Sequence, residues 1–177
     1  MGYTELEVVT LKSQEYAFPD KSVLVNHVYS RLDNPTLVKV QKSLYLLWAY
    51  YSATYGTLYP CGDVDIEYPK ALFKPDFRAW RYGPVDETVY AEQKSESFSK
   101  ETAKEYIPSK PWDTEVISFV NDLLKDTNKV NDFGLVARTH QDKSWSSVYK
   151  EGERYIAIDP KEIKSEYINK IKEASVV

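Results

Sequence analysis

The fold is decided by the stretch Leu37-Val-Lys-Val-Gln-Lys-Ser-Leu-Tyr-Leu-Leu-Trp48. Its apolar residues recur every three or four positions, which is the spacing of one face of an α-helix. Thr36 stands in front of it as a favourable N-cap, and Gly56 behind it is expected to supply a left-handed residue at the helix C-terminus. The pattern therefore predicts a long helix at the centre of the core. Three polar residues are expected on its other side: Lys39, Lys42 and Ser43.

Residues with capping side chains predict where the other helices begin, because such side chains accept hydrogen bonds from the first backbone N–H groups of a helix. These residues are Asp20, Asp86, Asp113, Asn131 and Asp159. The helix that follows Asp86 is expected to end near Phe98. Pro160 directly after Asp159 strengthens the last of these starts, since proline is favoured at the first helical position.

Two short segments favour extended structure because they are rich in aromatic residues or alternate in polarity. They are Phe77 to Tyr82 and Arg154 to Ile158. The Gly83-Pro84 pair that follows the first of them is predicted to be a turn. The expected fold class is therefore mainly α, a compact single domain of about five to seven helices with a minor short β element.

The length of the chain bounds its domain organisation. At 177 residues a single domain is expected. Such a domain buries roughly 70% of the surface of the unfolded chain. Residues 1–18 are predicted to be an N-terminal extension with a strand-prone stretch at 6–11, and residues 19–177 are predicted to be the folded domain.

The composition permits a protein-binding module, and its charge pattern argues against binding to nucleic acid. The chain holds 15 Tyr and four Trp, and these amphipathic aromatic residues serve cores and interaction surfaces equally well. Its 23 basic and 27 acidic residues are interleaved and give a net charge of −4. Because no basic stripe is present, binding to DNA, RNA or an anionic membrane is not expected.

The N-terminus and the cysteine content indicate a cytoplasmic protein. The single cysteine, Cys61, cannot form an internal disulfide. Residues 1–20 lack the basic and apolar regions of a signal peptide, and the longest apolar stretch, Leu44 to Ala53, is too short to span a membrane. We therefore expect a reducing, cytoplasmic environment.

The chain carries none of the common cofactor motifs. Two histidines and one cysteine cannot supply the usual zinc-ligand clusters, and no His-Glu-x-x-His or EF-hand spacing occurs. No glycine-rich loop precedes a predicted helix, so neither phosphate-binding fingerprint is present. We expect no metal and no cofactor.

Nucleophilic catalysis would need Cys61 or a serine activated by His27 or His140. His27 falls on an apolar helix stripe and is expected to lie in the core. His140 is close in sequence to Asp142 and Ser144, but members of a catalytic triad normally come from separate elements. We therefore expect His140 to interact with the last carbonyls of a helix and with Trp145, and we expect no catalytic residue.

The segment Trp80-Arg-Tyr-Gly-Pro-Val85 has two interpretations. Arg78 and Arg81 flank its aromatic residues, a combination enriched at the energetic centres of protein interfaces. Alternatively, the segment anchors a turn into the core. The residues are expected to divide between these roles, with Trp80 pointing inward near Trp48 and Arg81 pointing outward.

Three segments together resemble the Panacea domain, the SocA-like antitoxin family. They are Lys39-Val-Gln-Lys-Ser-Leu-Tyr45, Ala79-Trp-Arg-Tyr-Gly-Pro-Val85 with Tyr90 beyond it, and Thr139-His-Gln-Asp-Lys-Ser-Trp145. The family reads Lys-x-Gln-Lys-x-x-Tyr on a helix, Ala-Trp-x-Tyr-Gly-Pro-Val before a second helix, and Thr-His followed by Trp. The resemblance covers about residues 20–172.

The resemblance implies a non-catalytic antitoxin, associated with bacteria, plasmids and prophages, that binds and suppresses a toxin encoded beside it. An adaptor that delivers its partner to a cellular protease, or another phage-associated interaction protein, is the alternative, and a hydrolase that uses His140 is a more distant one. The residues expected to bind the toxin are Arg78, Arg81, Tyr82, Tyr90 and His140. The residues expected to form the structural motif are Lys39, Gln41, Lys42, Tyr45, Trp48, Trp80, Gly83, Pro84, Val85, Thr139 and Trp145.

The chain departs from the family pattern in three places. Val40 and Ser43 replace leucines that many relatives carry, and the stretch from Thr57 to Asp76 is longer than usual. Residues 1–18 are too few for the helix-turn-helix domain that some relatives add, so repression of its own gene through DNA binding is not expected.

Overall fold

The computed structural model describes residues 14–62 and 66–175. Most of the predicted N-terminal extension, including its strand-prone stretch at 6–11, lies outside the described residues. The described part of the chain forms seven α-helices and a two-stranded sheet, so the predicted mainly α single domain is confirmed. None of its helices has the length and apolar character needed to cross a membrane.

The elements follow the chain in a simple order. The helices are α1 (Lys21–Arg31), α2 (Leu37–Ala53), α3 (Glu87–Lys94), α4 (Asp113–Thr127), α5 (Asp132–His140), α6 (Lys143–Ser146) and α7 (Pro160–Ala174). The strands are β1 (Phe77–Trp80) and β2 (Gly83–Asp86), which pair antiparallel.

Helix α2 is the hub of the core, as its apolar pattern predicted. It packs against α1, α3, α4, α5, α7 and β2, and Val40, Leu44, Leu47 and Trp48 are all buried. The Trp48 indole Nε1 donates a hydrogen bond to the Phe73 carbonyl at 2.9 Å. This bond ties the irregular stretch that precedes β1 to the central helix.

Because α2 is surrounded, it has no solvent-facing side along most of its length. Lys39, Lys42 and Ser43, which were expected on the side away from the core, are buried at 8%, 1% and 0% exposure. That expectation was wrong because helical periodicity identifies one apolar face and cannot show that the opposite face is also covered. Here β2, α4 and α5 cover it, through Pro84, Thr127 and Thr139.

The C-terminus of α2 also differs from the prediction. Gly56 does not adopt a left-handed conformation but lies in a π-helical turn, Thr54–Leu58, that continues α2. A Cβ atom at Gly56 would lie 2.2 Å from the Lys70 carbonyl oxygen. Glycine is therefore required here for the close approach of two backbone segments.

The capping residues place five helix starts correctly. Side chains cap α1, α2, α3, α5 and α7 from Asp20, Thr36, Asp86, Asn131 and Asp159. Helix α3 ends at Lys94 rather than near Phe98. Glu96 has a φ of 59°, and the Ser97 amide bonds to the Glu92 carbonyl at 3.0 Å, which is a Schellman arrangement that stops the helix.

Asp113 is the exception among the predicted caps. It is the first residue of α4, and its carboxylate turns back to the preceding loop instead of capping the helix. It accepts hydrogen bonds from the Tyr106 hydroxyl and from the backbone N–H groups of Ser109 and Lys110. These three donors compensate for the burial of the carboxylate.

The sheet is a hairpin whose turn is Arg81-Tyr82, so the prediction of a turn at Gly83-Pro84 was wrong by two residues. Trp80 pairs with Gly83, which begins β2 with a φ of 106°. The predicted extended stretch 154–158 pairs with the other edge of β1: the Ala79 amide bonds to the Ile156 carbonyl at 2.9 Å.

The two sides of β1 separate the tryptophans that were expected to pack together. Phe77 and Ala79 face the core, where Phe77 contacts Trp48 with ring centres 6.2 Å apart. Trp80, on the opposite side of the strand, is half-buried and contacts Tyr90 at 4.8 Å. The expected inward position of Trp80 beside Trp48 is therefore wrong.

The packed part of the chain begins before residue 19. The amides of Ala17 and Phe18 bond to the carbonyls of Ala71 and Leu72, and both residues are buried. The last residues of the expected extension therefore belong to the core.

Trp48 should be one of the residues on which stability most depends. Replacing Trp48 by Ala removes a buried indole and leaves the Phe73 carbonyl without its partner, so the free energy of unfolding should fall by about 3–5 kcal/mol. Urea unfolding measures this change. Phe133→Ala is the control, since Phe133 is 87% exposed and its removal should have little effect. Equal unfolding midpoints for wild type and Trp48→Ala would contradict the central position of this side chain.

Candidate functional site

The site is built where α2 meets the free edge of β2. In the hairpin register, Pro84 and Asp86 are non-hydrogen-bonded positions, so their backbone groups point away from β1 and toward α2. Proline suits this edge because it has no N–H group to leave unpaired. Side chains of α2 take the place of a neighbouring strand here.

Gln41 forms the first of these contacts. Its side-chain oxygen accepts a hydrogen bond from the Asp86 amide at 2.8 Å, and its nitrogen donates to the Asp86 carbonyl at 3.3 Å. The same nitrogen lies 2.9 Å from the side-chain oxygen of Gln93, which in turn donates to the Tyr29 hydroxyl. One buried amide thus joins α2 to the end of β2, to α3 and to α1.

Lys42 forms the second contact. Its Nζ donates to the Pro84 carbonyl at 2.8 Å. The amine is buried, and the loss of hydration lowers the pKa of Lys42 from an ordinary 10.5 to about 7. Gly83 lies against it: a Cβ atom there would lie 2.6 Å from the Thr139 hydroxyl and 3.2 Å from Lys42 Nζ. The glycine therefore leaves the space that lets Lys42 and Thr139 approach the hairpin.

Tyr45 connects α2 to a buried carboxylate at the start of α6. The hydroxyls of Tyr45 and Tyr167 donate to the same oxygen of Asp142, at 2.7 and 2.6 Å. Arg138 and Lys170 donate to its other oxygen, at 2.9 and 3.0 Å. Burial, reinforced by the neighbouring carboxylate, raises the pKa of Tyr45. Four donors satisfy Asp142, which holds α2, α5 and α7 together.

His140 and Trp145 form hydrogen bonds with the backbone of the hairpin turn. The His140 Nε2 lies 3.0 Å from the Arg81 carbonyl, and the Trp145 Nε1 donates to the Trp80 carbonyl at 2.8 Å. Their rings are stacked with centres 4.2 Å apart and an angle of 13°. Because a carbonyl can only accept, Nε2 of His140 carries the proton in this arrangement.

These contacts do not match a Ser-His-Asp triad at 140–144. The Asp142 carboxylate bonds to tyrosine, arginine and lysine side chains, whereas His140 bonds to a backbone carbonyl. The Ser144 hydroxyl lies 3.1 Å from the Tyr45 hydroxyl. The three residues are adjacent in sequence, but their side chains make separate structural contacts.

The remaining candidates for chemistry have structural surroundings. His27 is buried, accepts the Tyr106 amide at Nδ1 and lies 2.7 Å from Asn121 through Nε2. Burial lowers the pKa of His27, which favours the neutral ring of a core histidine. Cys61 is exposed in an irregular segment. Within residues 14–62 and 66–175, no three His, Cys, Asp or Glu side chains are grouped as metal ligands.

A cavity of about 610 Å³ lies between α2, the hairpin, α3 and the segment that follows α6. Its walls are mainly apolar and aromatic: Leu37, Val38, Trp80, Val85, Tyr90 and Tyr149. Arg154 lies over the Trp80 ring with its Cζ 4.6 Å from the ring centre, and the Trp80 Nε1 donates to the Arg154 carbonyl. Lys42 and Gln41 also line it.

The structure brings only part of the expected toxin-binding set to this cavity. Arg81, Tyr82 and Tyr90 line it together, and Tyr82 is 59% exposed. Arg78 instead lies 3.2 Å from Asp76 and 3.4 Å from Glu87, and it donates to the Tyr155 carbonyl. His140 does not line the cavity: it is stacked on Trp145 and bonds to the Arg81 carbonyl of the turn.

Three residues of the cavity were missed by the reading of the sequence. Trp80 was expected inside the core, and Tyr149 and Arg154 were assigned no role. A turn at Lys150–Glu153, with Gly152 at a φ of 83°, folds these two residues back toward the hairpin. That glycine was the available signal, but it does not show which distant strand the turn approaches.

Comparison of the chain with known proteins finds no match to any family model, to any curated protein or to any solved structure. The resemblance to the Panacea domain rests on the three sequence motifs alone.

The buried amine of Lys42 should make stability depend on pH. Its pKa is lower in the folded protein than in the unfolded chain, so the unfolded chain binds more protons between pH 7 and 10.5. Stability should therefore increase as the pH rises through this range, by up to about 1.4 kcal/mol per pH unit, and Lys42→Met should lack this increase.

Urea unfolding of wild type and Lys42→Met at pH 6, 8 and 9.5 measures the effect. Lys94→Met, at an exposed position, is the reference for the loss of a surface lysine. If the difference in unfolding free energy between wild type and Lys42→Met stays constant with pH, the amine is not buried as described.

Proposed function

We propose that this protein is an antitoxin that neutralises a protein toxin by binding it directly through the turn Arg81-Tyr82 and the adjoining cavity wall. The observation that supports the proposal most is the contrast within the turn. Its backbone is held by the half-buried His140 and the buried Trp145, while the side chains of Arg81 and Tyr82 are exposed. We call Arg81, Tyr82, Trp80 and Tyr90 the turn surface.

The chemistry of the turn surface suits a protein interface. Arginine, tyrosine and tryptophan are the residues that most often carry the binding energy of interfaces. The Arg81 guanidinium lies 5.6 Å from the centre of the Tyr82 ring, so the two side chains present one continuous contact area. Large rigid side chains of this kind supply contact area at a low cost in conformational entropy.

The hairpin is also positioned before any partner arrives. Lys42 bonds to the Pro84 carbonyl, Trp145 to the Trp80 carbonyl and His140 to the Arg81 carbonyl. A preorganised turn does not lose further backbone freedom on binding, which favours affinity. Lys42, Trp145 and His140 therefore support the hairpin, and the exposed Arg81 and Tyr82 contact the toxin.

The three motifs of the Panacea resemblance meet at this place. The first motif contributes Gln41, Lys42 and Tyr45, the second is the hairpin itself, and the third contributes His140 and Trp145. Residues that are far apart in sequence thus act on one structural feature. This agreement supports the family assignment, and with it the antitoxin function, as the best reading of the site.

Replacing both Arg81 and Tyr82 by Ala should weaken binding to the toxin encoded beside this gene by more than about 2 kcal/mol, the usual threshold for an interface centre. The melting temperature should change little, because the backbone carbonyls that hold the turn are retained. Titration calorimetry with the purified toxin, with a melting curve for each variant, measures both effects.

Tyr59→Ala is the matched control, since Tyr59 is 62% exposed and does not line the cavity. Its affinity should equal that of the wild type. Wild-type affinity in the double variant would place the contact surface elsewhere. Absence of any binding between the wild-type pair would contradict the antitoxin function itself.

A further inference from the structure

Lys42 is the most deeply buried cation within the described residues. It is 1% exposed, and within the described residues its amine has one hydrogen-bond partner, the carbonyl of Pro84. An ammonium group has three donors, so two remain for another acceptor. A buried amine that lacks a carboxylate is costly, because burial penalises its charged form.

Three other cations that reach the interior of this protein have acidic partners, and Lys39, which is 8% exposed, does not line the cavity. Lys21 lies 2.9 Å from Asp86, and Arg138 and Lys170 lie 2.9 and 3.0 Å from Asp142. Lys42 differs from them in position as well, since it stands in the wall of the cavity beside the hairpin. Lys42 thus lacks an acidic partner at a place where the cavity leaves open space.

We propose that the cavity beside the hairpin binds a small aromatic carboxylic acid whose carboxylate pairs with the Lys42 ammonium group. This site is independent of the proposed antitoxin function, because it requires only the cavity and the amine. The carboxylate supplies the acceptor and the negative charge that Lys42 lacks. The aromatic body of the acid lies against the cavity wall formed by Trp80, Tyr90 and Tyr149.

The dimensions and the lining of the cavity fit such a ligand. Its volume of about 610 Å³ falls within the range of about 300–1,000 Å³ that is typical of small-molecule sites. Such sites combine apolar and aromatic walls with a few polar groups that fix the orientation of the ligand. Here the walls are aromatic, and Lys42 is the buried cation of the lining, whereas Arg81 and Arg154 are exposed.

Binding of a carboxylate should take up a proton. Burial lowers the pKa of Lys42 to about 7 in the free protein, so the amine is mostly neutral above that pH, whereas pairing with a carboxylate requires the ammonium form. Affinity should therefore fall by about tenfold for each pH unit above 7. The other ionisable side chains that face the cavity are Arg81, Tyr82, Tyr90, Tyr149, Glu151, Glu153 and Arg154.

The test uses 2-naphthoate as the probe and 2-naphthamide as its uncharged counterpart. Titrations followed by ¹H–¹⁵N NMR spectra should show saturable binding of 2-naphthoate at pH 6.5, with shifts at the amides of Leu37, Val85 and Gly152. Its affinity should fall at pH 8.5, whereas that of 2-naphthamide should be weaker at pH 6.5 and independent of pH.

Lys42→Met separates the role of the charge from that of the walls. The variant keeps a side chain of similar length, and it should weaken 2-naphthoate binding at least about tenfold while changing 2-naphthamide binding less than twofold. Lys94→Met should bind both probes like the wild type. Tyr149→Ala should weaken both probes, because it removes part of the aromatic wall.

Three results would overturn the proposal: no saturable binding of 2-naphthoate at millimolar concentration, equal affinity for the acid and the amide, or shifts at amides away from the cavity. If Lys42→Met does not fold, the pH dependence of the wild-type protein decides the question. A pH-independent affinity for 2-naphthoate would then rule out pairing with Lys42.

Discussion

The hydrogen bonds that join Gln41 and Lys42 to the edge of β2 are the contacts on which the rest of the structure depends. A two-stranded hairpin is marginally stable in isolation, and its outer edge has backbone groups without partners. In this protein one side-chain amide and one amine replace the missing strand, at Asp86 and Pro84. The position of the hairpin, and with it the turn surface and the cavity, follows from these bonds.

This arrangement explains why a helix at the centre of the core carries so many polar residues. Buried polar groups are tolerated when their hydrogen bonds are satisfied, and satisfied networks fix a unique arrangement of the parts they join. Gln41, Lys42 and Tyr45 each reach a different segment of the chain: the end of β2, its middle and the Asp142 cluster. The apolar residues of α2 supply the core, and its polar residues decide what is attached to it.

Much of the fold could be predicted because the signals are local. The caps at Asp20, Thr36 and Asn131 act on amides two or three residues away, so a short stretch of sequence contains both partners. The burial of Lys42 could not be predicted in this way, because it depends on β2, which arrives 42 residues later along the chain. The misplaced turn has a similar cause: Gly83 follows the turn with a φ of 106°, and it also leaves space for Lys42 and Thr139, which are distant in sequence.

In the candidate site, too, only the features that depend on local sequence could be predicted. The exposure of Arg81 was expected from its place in an aromatic turn, but the bond of Arg78 to the Tyr155 carbonyl and the approach of Arg154 to Trp80 depend on segments distant in sequence. Trp80 and Tyr90 belong both to the turn surface and to the cavity wall. An occupant of the cavity and a protein bound to the turn would therefore touch the same two rings.

Amide hydrogen exchange at Asp86 tests the central claim most directly, because the partner of this amide is the side chain of Gln41. The amide of Ile158, which bonds to the Phe77 carbonyl, is the internal reference. We expect the two amides to exchange at similarly slow rates in the wild-type protein, and Gln41→Leu to remove the protection at Asp86 while keeping it at Ile158. Rapid exchange at Asp86 in the wild-type protein would contradict the attachment of the hairpin to α2.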